Sequence, residues 1–134
     1  MTVIDCSAMV ELLAAGTEAG EAIAGRLAVT RSMSAPYVLD AEVPSALLGL
    51  MRGKKITERA ADAALWNYRA FPLERHDVLP LWPRIKILYT NLSGYDAQYV
   101  ALAEALGVPL ITADARIKRS KAARCEIEVF GSHA

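Results

Sequence analysis

The sequence lacks most of the features that assign a protein to a class by composition alone. It has two cysteines, Cys6 and Cys125, in no CxxC or Cys/His spacing, which argues against the common zinc sites and favours reduced thiols in a cytosolic protein. Its 15 basic and 15 acidic residues cancel, so bulk charge does not mark a nucleic-acid binder and any such role must depend on a local patch. We find no repeat, low-complexity tract or linker.

Membrane and export signals are also missing from the sequence. No apolar run approaches the roughly 18 to 20 residues that a membrane-spanning helix needs. The first predicted strand begins at about residue 2, so we expect no signal peptide and a cytoplasmic location. What is present is a chain of 134 residues that is 54% hydrophobic, which is enough for the continuous core of one domain spanning 1–134.

Short β-like runs alternate with longer helical runs along the chain. The predicted strands cover 2–5, 33–38, 72–78, 108–113 and 127–130. The predicted helices cover 7–16, 17–29, 40–54, 57–71, 79–90, 93–107 and 116–125. Strands separated by helices predict an α/β fold, a three-layer sandwich whose central, mostly parallel sheet of about four to five strands carries helices on both faces.

Polar residues and glycines mark the predicted helix ends. Side chains that accept hydrogen bonds from helix amides are expected to open four helices, at Thr17, Asp40, Thr57 and Ser93. Glycine is expected to end three helices, at Gly16, Gly53 and Gly107. Asp96 lies three residues after Ser93, as in a capping box. Pro44 is tolerable only in or near the first turn of its helix.

Two predicted strands each end on an aspartate. Asp5 follows Val3 and Ile4 directly, and Asp114 closes the segment LITAD. A charge placed directly after a buried strand is costly unless it is paired. Because ligands bind beyond the carboxyl ends of the strands in parallel α/β folds, the two aspartates predict one shared site.

Two further acids, Glu42 and Asp96, lie in the first turns of helices expected to open at the same edge of the sheet. The predicted site therefore combines four carboxylates that are far apart in sequence: Asp5, Glu42, Asp96 and Asp114. Carboxylates held this close raise one another's pKa, and a bound divalent cation removes the repulsion. Oxygen ligands suit Mg²⁺ or Mn²⁺ rather than zinc, and neither His76 nor His133 lies near these segments.

Each of these residues also has a simpler interpretation when taken alone. Asp96 fits a helix-capping acid, Glu42 a solvated or capping side chain, and Asp114 the N-cap of the following helix. Ser7 and Thr112 each lie two residues from an aspartate, where a hydroxyl orients either a carboxylate or a bound water. A local hydrogen bond to the backbone explains these hydroxyls equally well. The prediction of a site depends on all four acids sharing one topological placement.

Three segments and the total length together resemble a PIN domain, and specifically the toxin of a VapBC toxin–antitoxin pair. The segments are VIDCSAMV, APYVLDAEVPSAL and YDAQYVALAEALGVPLITADAR, and the resemblance covers nearly the whole chain. It implies a Mg²⁺-dependent endoribonuclease that hydrolyses RNA phosphodiester bonds. It also implies a homodimer and a cognate VapB-type antitoxin that blocks the site. The metal-site residues that the resemblance implies are Asp5, Glu42, Asp96 and Asp114, with Ser7 and Thr112 as supporting polar positions.

The sequence departs from the family pattern at two places. Some family members carry a further acid shortly after the last motif aspartate, where this chain has Arg116 and Ile117. Pro44, two residues after Glu42, is unusual inside that helix and is expected to shift the carboxylate slightly.

A basic run and several aromatic residues bear on the substrate. The basic run directly follows Asp114 and contains no acid; it comprises Arg116, Lys118, Arg119, Lys121 and Arg124. Such residues contact phosphates without reading sequence, and Arg116 is placed to reach the scissile phosphate, although a solvated helix face is the simpler reading. Trp66, Tyr68 and Trp82 fit base stacking, a groove for an antitoxin helix, or ordinary core and dimer packing.

Other protein classes fit less well. A non-catalytic RNA-binding or protein-binding module that keeps the PIN fold stays open as the alternative. A receiver domain needs an acidic pair at the end of the first strand and a late lysine, whereas Cys6 follows Asp5 and LITADAR offers an arginine. A phosphatase of the haloacid dehalogenase type needs DxD, but residue 7 is serine. The GxGxxG turn of a dinucleotide-binding domain is absent.

Overall fold

Five short parallel strands form the central sheet in the computed structural model, which describes residues 1–14 and 16–131. Ala15 and residues 132–134, including His133, lie outside the described residues. The sheet has the order β3-β2-β1-β4-β5. Its strands are β1 Thr2–Ile4, β2 Met33–Pro36, β3 Glu74–His76, β4 Leu110–Thr112 and β5 Ile127–Val129. The parallel pairing, with Val3 opposite both Ser34 and Leu110, confirms the predicted α/β class.

Seven α-helices of the described residues connect these strands. They are α1 Cys6–Ala14, α2 Glu18–Ala28, α3 Leu39–Arg52, α4 Glu58–Ala70, α5 Trp82–Leu88, α6 Gly94–Leu106 and α7 Ala115–Ser120. Right-handed crossovers between parallel strands place α1 to α4 on one face of the sheet and α5 to α7 on the other. The strand order reverses between β1 and β4, the position at which such folds bind ligands.

Helix α6 is the most deeply buried helix and fixes the geometry near the switch between β1 and β4. Its Ala97, Tyr99 and Val100 are buried, and it packs against β1, β2 and β4. The hydroxyl of Ser93 accepts a hydrogen bond from the amide of Asp96 at 3.1 Å, which confirms the predicted N-cap. Gly107 ends the helix in the left-handed conformation with φ of 67°, as glycine does without strain.

The predicted N-caps Thr17 and Thr57 are confirmed, but the one at Asp40 is wrong. Helix α3 begins at Leu39 after Val38, which makes no side-chain cap. The carboxylate of Asp40 instead accepts hydrogen bonds from Tyr68 at 2.6 Å and from Arg75 at 2.7 Å. A cation and a phenol hold the carboxylate more strongly than a helix amide does, and the cap is lost.

Several element boundaries and the position of Pro44 also differ from the prediction. Strand β2 ends at Pro36, because the chain turns at Tyr37 to start α3. Pro44 lies in the second turn of α3, one turn further in than proline is normally tolerated. The segment 79–90 begins as a 3-10 turn at Leu79–Leu81 and becomes α-helical only from Trp82, and α7 stops at Ser120.

A partly buried ion pair fixes α5 onto α6. Arg84 donates hydrogen bonds to both carboxylate oxygens of Glu104, at 2.7 and 3.0 Å, and to the carbonyl oxygen of Ala122 at 3.2 Å. The backbone amide of Arg124 donates to the same carboxylate at 2.7 Å. Burial disfavours ionisation of Glu104, but these bonds outweigh it and hold its pKa below the ordinary value.

Neither cysteine forms a disulfide: Cys6 and Cys125 are both free, as predicted. Among the described helices, none combines the length and the apolar character that crossing a bilayer requires.

Candidate active site

Asp5 directly follows β1 and is buried with only 4% of its surface exposed. Its Oδ1 accepts hydrogen bonds from the hydroxyl of Ser7 at 2.7 Å and from the amide of Ala8 at 3.0 Å. Its own amide donates to the carbonyl oxygen of Ile111 at 3.1 Å, so the end of β1 is joined to β4. The buried carboxylate therefore receives the hydrogen bonds that burial of a charge requires.

A chain of hydroxyl groups connects the ends of β1 and β4. The Oγ of Ser7 lies 3.1 Å from the Oγ1 of Thr112 and accepts a hydrogen bond from the amide of Ala113 at 3.0 Å. Thr112 in turn accepts from the amide of Asp114 at 3.0 Å. Thr112 is completely buried, and its hydroxyl helps to position the loop that carries Asp114.

Glu42 lies in the first turn of α3, and its side chain reaches α6. Its Oε1 accepts a hydrogen bond from the hydroxyl of Tyr99 at 2.6 Å, which is a short, charge-assisted bond. Sequence reasoning missed Tyr99 as a site residue. The signal was available, because Tyr99 lies three residues after Asp96 and residues at that spacing share a helix face.

Three of the four predicted acids line one cleft of about 520 Å³, which we call the acid cleft. These acids are Asp5, Glu42 and Asp96, and the side chains between them include Cys6, Ser7 and Tyr99. The acids come from β1, α3 and α6, so the topology joins residues that are up to 91 positions apart, from 5 to 96. The cleft lies at the carboxyl edge of the sheet, as the sequence predicts.

The acids of the cleft repel one another and resist ionisation. Burial raises the pKa of Asp5 to about 6, against hydrogen bonds from Thr112, Ala8 and Ser7 that lower it, and the charge of Asp96 adds to the rise. Burial and the charge of Asp96 likewise raise the pKa of Glu42, although the bond from Tyr99 lowers it. Ionisation of these acids in the cleft therefore costs free energy, and a bound cation would offset that cost.

Burial also raises the pKa of Asp96, with the hydroxyl of Ser93 acting in the opposite direction. The charge of Asp114 raises this pKa further and that of Arg116 lowers it, so both groups lie close enough to act on Asp96. Asp96 is therefore electrostatically linked to Asp5 and Glu42 on one side and to Asp114 on the other.

Asp114 lies beside the acid cleft rather than in its lining. It is the N-cap of α7 and accepts a hydrogen bond from the amide of Arg116 at 2.9 Å, so the simpler interpretation of this residue is correct as geometry. The guanidinium of Arg116 also binds both of its carboxylate oxygens, with the shortest contact at 2.6 Å. These bonds from Arg116 hold the pKa of Asp114 below its ordinary value.

The donor chemistry of this edge fits a hard divalent cation. Carboxylate oxygens predominate, and burial with the nearby charges of Glu42 and Asp5 raises the pKa of the Cys6 thiol to about 12, so it stays protonated at neutral pH. As they stand, no three acidic, histidine or cysteine side chains within 1–14 and 16–131 lie close enough together to ligate one ion. Glu42 is turned to Tyr99 and Asp114 to Arg116, so ligation requires rotation of these side chains.

The other residues singled out in the sequence lie outside the cleft. Tyr68 is buried against Asp40, which excludes it from base stacking. Trp66 and Trp82 are exposed, and the guanidinium of Arg69 lies 5.4 Å from the ring centroid of Trp66. In the basic run, four side chains besides that of Arg116 are exposed: Lys118, Arg119, Lys121 and Arg124.

Comparison with known protein families gives a match over most of the chain. The model of the PIN domain family matches residues 2–122. Ribonuclease VapC9 of Mycobacterium tuberculosis is 36% identical over 129 residues, which cover 96% of this chain and 98% of that protein. Ribonuclease VapC3 of the same species is 42% identical over 122 residues, covering 88% of this chain and 85% of that protein.

Solved structures share the fold at lower sequence identity. PAE2754 from Pyrobaculum aerophilum has a TM-score of 0.69 at 21% identity, covering 91% of this chain and 87% of that chain. VapC20 from M. tuberculosis, described as a Sarcin-Ricin loop cleaving toxin, has a TM-score of 0.68 at 17% identity, covering 90% of this chain and 95% of that chain. These likenesses establish that the whole α/β sandwich is shared.

Proposed function

The chain belongs to the PIN domain family, in the group of the VapC proteins, and on this premise we propose that it is a metal-dependent endoribonuclease. The family membership confirms the resemblance seen in the sequence. The ribonuclease names of the relatives support the activity, and the acid cleft supports the chemistry.

The observation that carries the proposal is the convergence of Asp5, Glu42 and Asp96 on one cleft, with Asp114 beside it. Burial raises the pKa of Asp5, Glu42 and Asp96, and the charge of a neighbouring aspartate adds to each rise. A purely structural group of partly buried acids would be expected to carry a cationic side chain as partner, as Glu104 does with Arg84. Asp5 and Glu42 accept hydrogen bonds from hydroxyl and amide groups instead.

The proposed cofactor is Mg²⁺ or Mn²⁺, held by carboxylates of Asp5, Glu42, Asp96 and Asp114. Bound there, the ion would activate water and stabilise the charge that develops on the phosphate. Asp5 is held in place by Ser7 and Ala8, whose hydrogen bonds both reach Oδ1 and so fix the orientation of the carboxylate. Tyr99 orients Glu42 in the same way from α6.

The basic run supports RNA as the polyanionic substrate. Arg116 lies at the edge of the cleft and is 78% exposed, so its guanidinium is accessible to a phosphate even while it contacts Asp114. Lys118, Arg119 and Lys121 extend the positive charge away from the acids. Contacts of this kind place a strand across the cleft without reading its sequence.

We further propose that the protein acts as the toxin of a toxin–antitoxin pair in the cytoplasm, as a homodimer inhibited by a VapB-type antitoxin. Its relatives named VapC and the solved VapBC2 complex of Rickettsia felis, with a TM-score of 0.68 at 14% identity, support this partnership.

The test is RNA cleavage by the purified protein, free of any antitoxin. Total RNA is incubated with Mg²⁺, with Mn²⁺, and with EDTA, and the parent is compared with Asp96→Asn and with Asp62→Asn, a matched change of an exposed aspartate on α4. We expect cutting that needs the metal, disappears in Asp96→Asn and persists in Asp62→Asn.

Two other outcomes would overturn the proposal. Equal cutting by the parent and by Asp96→Asn would indicate a contaminating nuclease. Metal binding without cutting of any RNA pool would favour the alternative, a non-catalytic binding module with a PIN fold.

A further inference from the structure

Two exposed tyrosines lie at the first turn of α6, the turn that carries Asp96. Tyr89 directly follows α5 and is 64% exposed, and Tyr95 precedes Asp96 in the first turn of α6 and is 57% exposed. They differ from the two buried tyrosines, Tyr68 and Tyr99, each of which donates its hydroxyl to a carboxylate. Exposed rings at the edge of a site are available to a ligand, and these two are not needed by the core.

The ring of Tyr89 is held at the start of α6. A Cβ on residue 94 would lie 3.1 Å from Cε2 of this ring, so the ring packs closely on the backbone of Gly94. The amide of Tyr89 donates to the carbonyl oxygen of Ile85 at 2.8 Å. The ion pair between Arg84 and Glu104 keeps α5 against α6, so the ring has a fixed position relative to Asp96.

Tyr95 is fixed by the same helix. Ser93 caps α6 through the amide of Asp96, which orders the turn that carries Tyr95. Adjacent helical residues point about 100° apart at 3.6 residues per turn, so Tyr95 projects to solvent from the same turn that directs Asp96 into the cleft. A tyrosine has few rotatable bonds, so an exposed ring in an ordered turn loses little entropy when a ligand stacks on it.

We propose that Tyr95 and Tyr89 form a nucleobase subsite that stacks an unpaired base of the RNA strand next to the cleavage site. The inference depends on the proposed nuclease function. It adds a contact with the RNA base to the phosphate contacts proposed above. Arg116 faces Asp96 from the side of Asp114 and supplies a cation for phosphate, whereas the tyrosines supply aromatic surface. Single-stranded RNA presents both phosphates and unpaired bases. It is therefore favoured over a duplex, whose bases are already stacked.

The experiment compares RNA with and without bases. Fluorescence anisotropy measures the affinity of a random single-stranded RNA pool and of an abasic ribose–phosphate oligomer of equal length, each for Asp96→Asn protein so that nothing is cut. In this background we add Tyr95→Ala, Tyr89→Ala, and the conservative Tyr95→Phe and Tyr89→Phe. Trp66→Ala serves as the control, since Trp66 is 65% exposed but belongs to the opposite helix layer.

We expect each alanine variant to bind the RNA pool roughly 5- to 100-fold more weakly, while its affinity for the abasic oligomer is unchanged. The phenylalanine variants and Trp66→Ala are expected to bind as the background protein does. Melting temperatures of all variants are compared first, and Tyr95→Ala carries the result if Tyr89→Ala fails to fold, because the ring of Tyr89 packs on Gly94.

Three outcomes would contradict the subsite. Equal losses for the RNA pool and the abasic oligomer would mean that the rings act through structure. Unchanged RNA affinity in both alanine variants would remove them from the substrate path while leaving the nuclease intact. If light scattering showed that an alanine variant has a different molar mass from the background protein, the rings would belong to a contact between copies of this chain. Failure of the parent to cut RNA is scored separately, in the cleavage test above.

Discussion

The hydroxyl of Ser7 lies between the carboxylate of Asp5 and the loop that follows β4. It donates to Asp5 at 2.7 Å, accepts from the amide of Ala113 at 3.0 Å, and lies 3.1 Å from the hydroxyl of Thr112. Through one side chain, the first acid of the cleft is joined to the segment that carries Asp114. The position of the acids thus depends on a residue that is not itself an acid.

Replacing Ser7 with alanine should reduce both cleavage and stability. The change removes one of the hydrogen bonds to the buried carboxylate of Asp5 and the acceptor of the Ala113 amide, which costs about 1 to 3 kcal/mol of the free energy of unfolding. Urea unfolding and RNA cleavage measure the two effects, and Ser45→Ala on the exposed side of α3 is the control. Parent-like values for Ser7→Ala in both assays would show that the hydroxyl holds nothing in place.

Replacing Asp5 with asparagine should abolish cleavage and yet stabilise the fold at neutral pH without metal. The pKa of Asp5 rises from 3.8 to about 6 on folding, so the unfolded chain loses this proton first and stability falls as the pH rises between those values. The deficit is complete above about pH 6 and amounts to ~3 kcal/mol at most. Asparagine keeps an oxygen for Ser7 and Ala8 and carries no charge.

The measurement is urea unfolding in EDTA at pH 7 and at pH 4, with Asp62→Asn as the control. We expect Asp5→Asn to exceed the parent at pH 7 by about 1 to 3 kcal/mol and the difference to shrink at pH 4. A variant that is less stable than the parent at pH 7 would mean that the buried charge is compensated by a group not identified here.

Replacing Tyr99 with phenylalanine should release Glu42. The 2.6 Å bond from the Tyr99 hydroxyl lowers the pKa of Glu42, so its loss raises that pKa further and lets the carboxylate turn away. Carbon-detected NMR of the Glu42 carboxyl follows the pKa, and cleavage should fall by roughly tenfold, as for loss of other residues that orient metal ligands. Tyr37→Phe, at an exposed position, should change neither quantity.

Replacing Arg116 with glutamine should affect Asp114 and RNA together. The guanidinium holds the pKa of Asp114 low, so in the variant this pKa moves up towards the ordinary value. If the same side chain also contacts phosphate, the slope of log affinity for RNA against log salt concentration should fall by about one. Lys121→Gln is the control for the pKa of Asp114, and an unchanged Asp114 pKa in Arg116→Gln would refute the ion pair.

The fold was predictable where local sequence decides it. The apolar strands before Asp5 and Asp114, the hydroxyl of Ser93 and the stop at Gly107 are short-range signals, and each appears in the structure as expected. The placement of acids at the carboxyl edge followed from topology alone.

The details that failed depend on partners distant in sequence. Asp40 caps nothing because Tyr68 and Arg75, 28 and 35 residues away, take its carboxylate. The bond between Glu42 and Tyr99 spans 57 residues, so the spacing of Tyr99 from Asp96 indicates which helix face it shares but not its partner. The distances between the acids depend on side-chain rotamers, which the sequence does not specify.

The most direct test of the central claim is Mn²⁺ binding at the acid cleft, followed by electron paramagnetic resonance of the free ion. The parent is compared with Asp5→Asn, Asp96→Asn and the surface control Asp62→Asn. We predict that the parent and the control bind Mn²⁺ equally and that both cleft variants bind it at least ~10-fold more weakly. Parent-like Mn²⁺ binding by Asp5→Asn and Asp96→Asn would contradict the assignment of this cleft as the metal site.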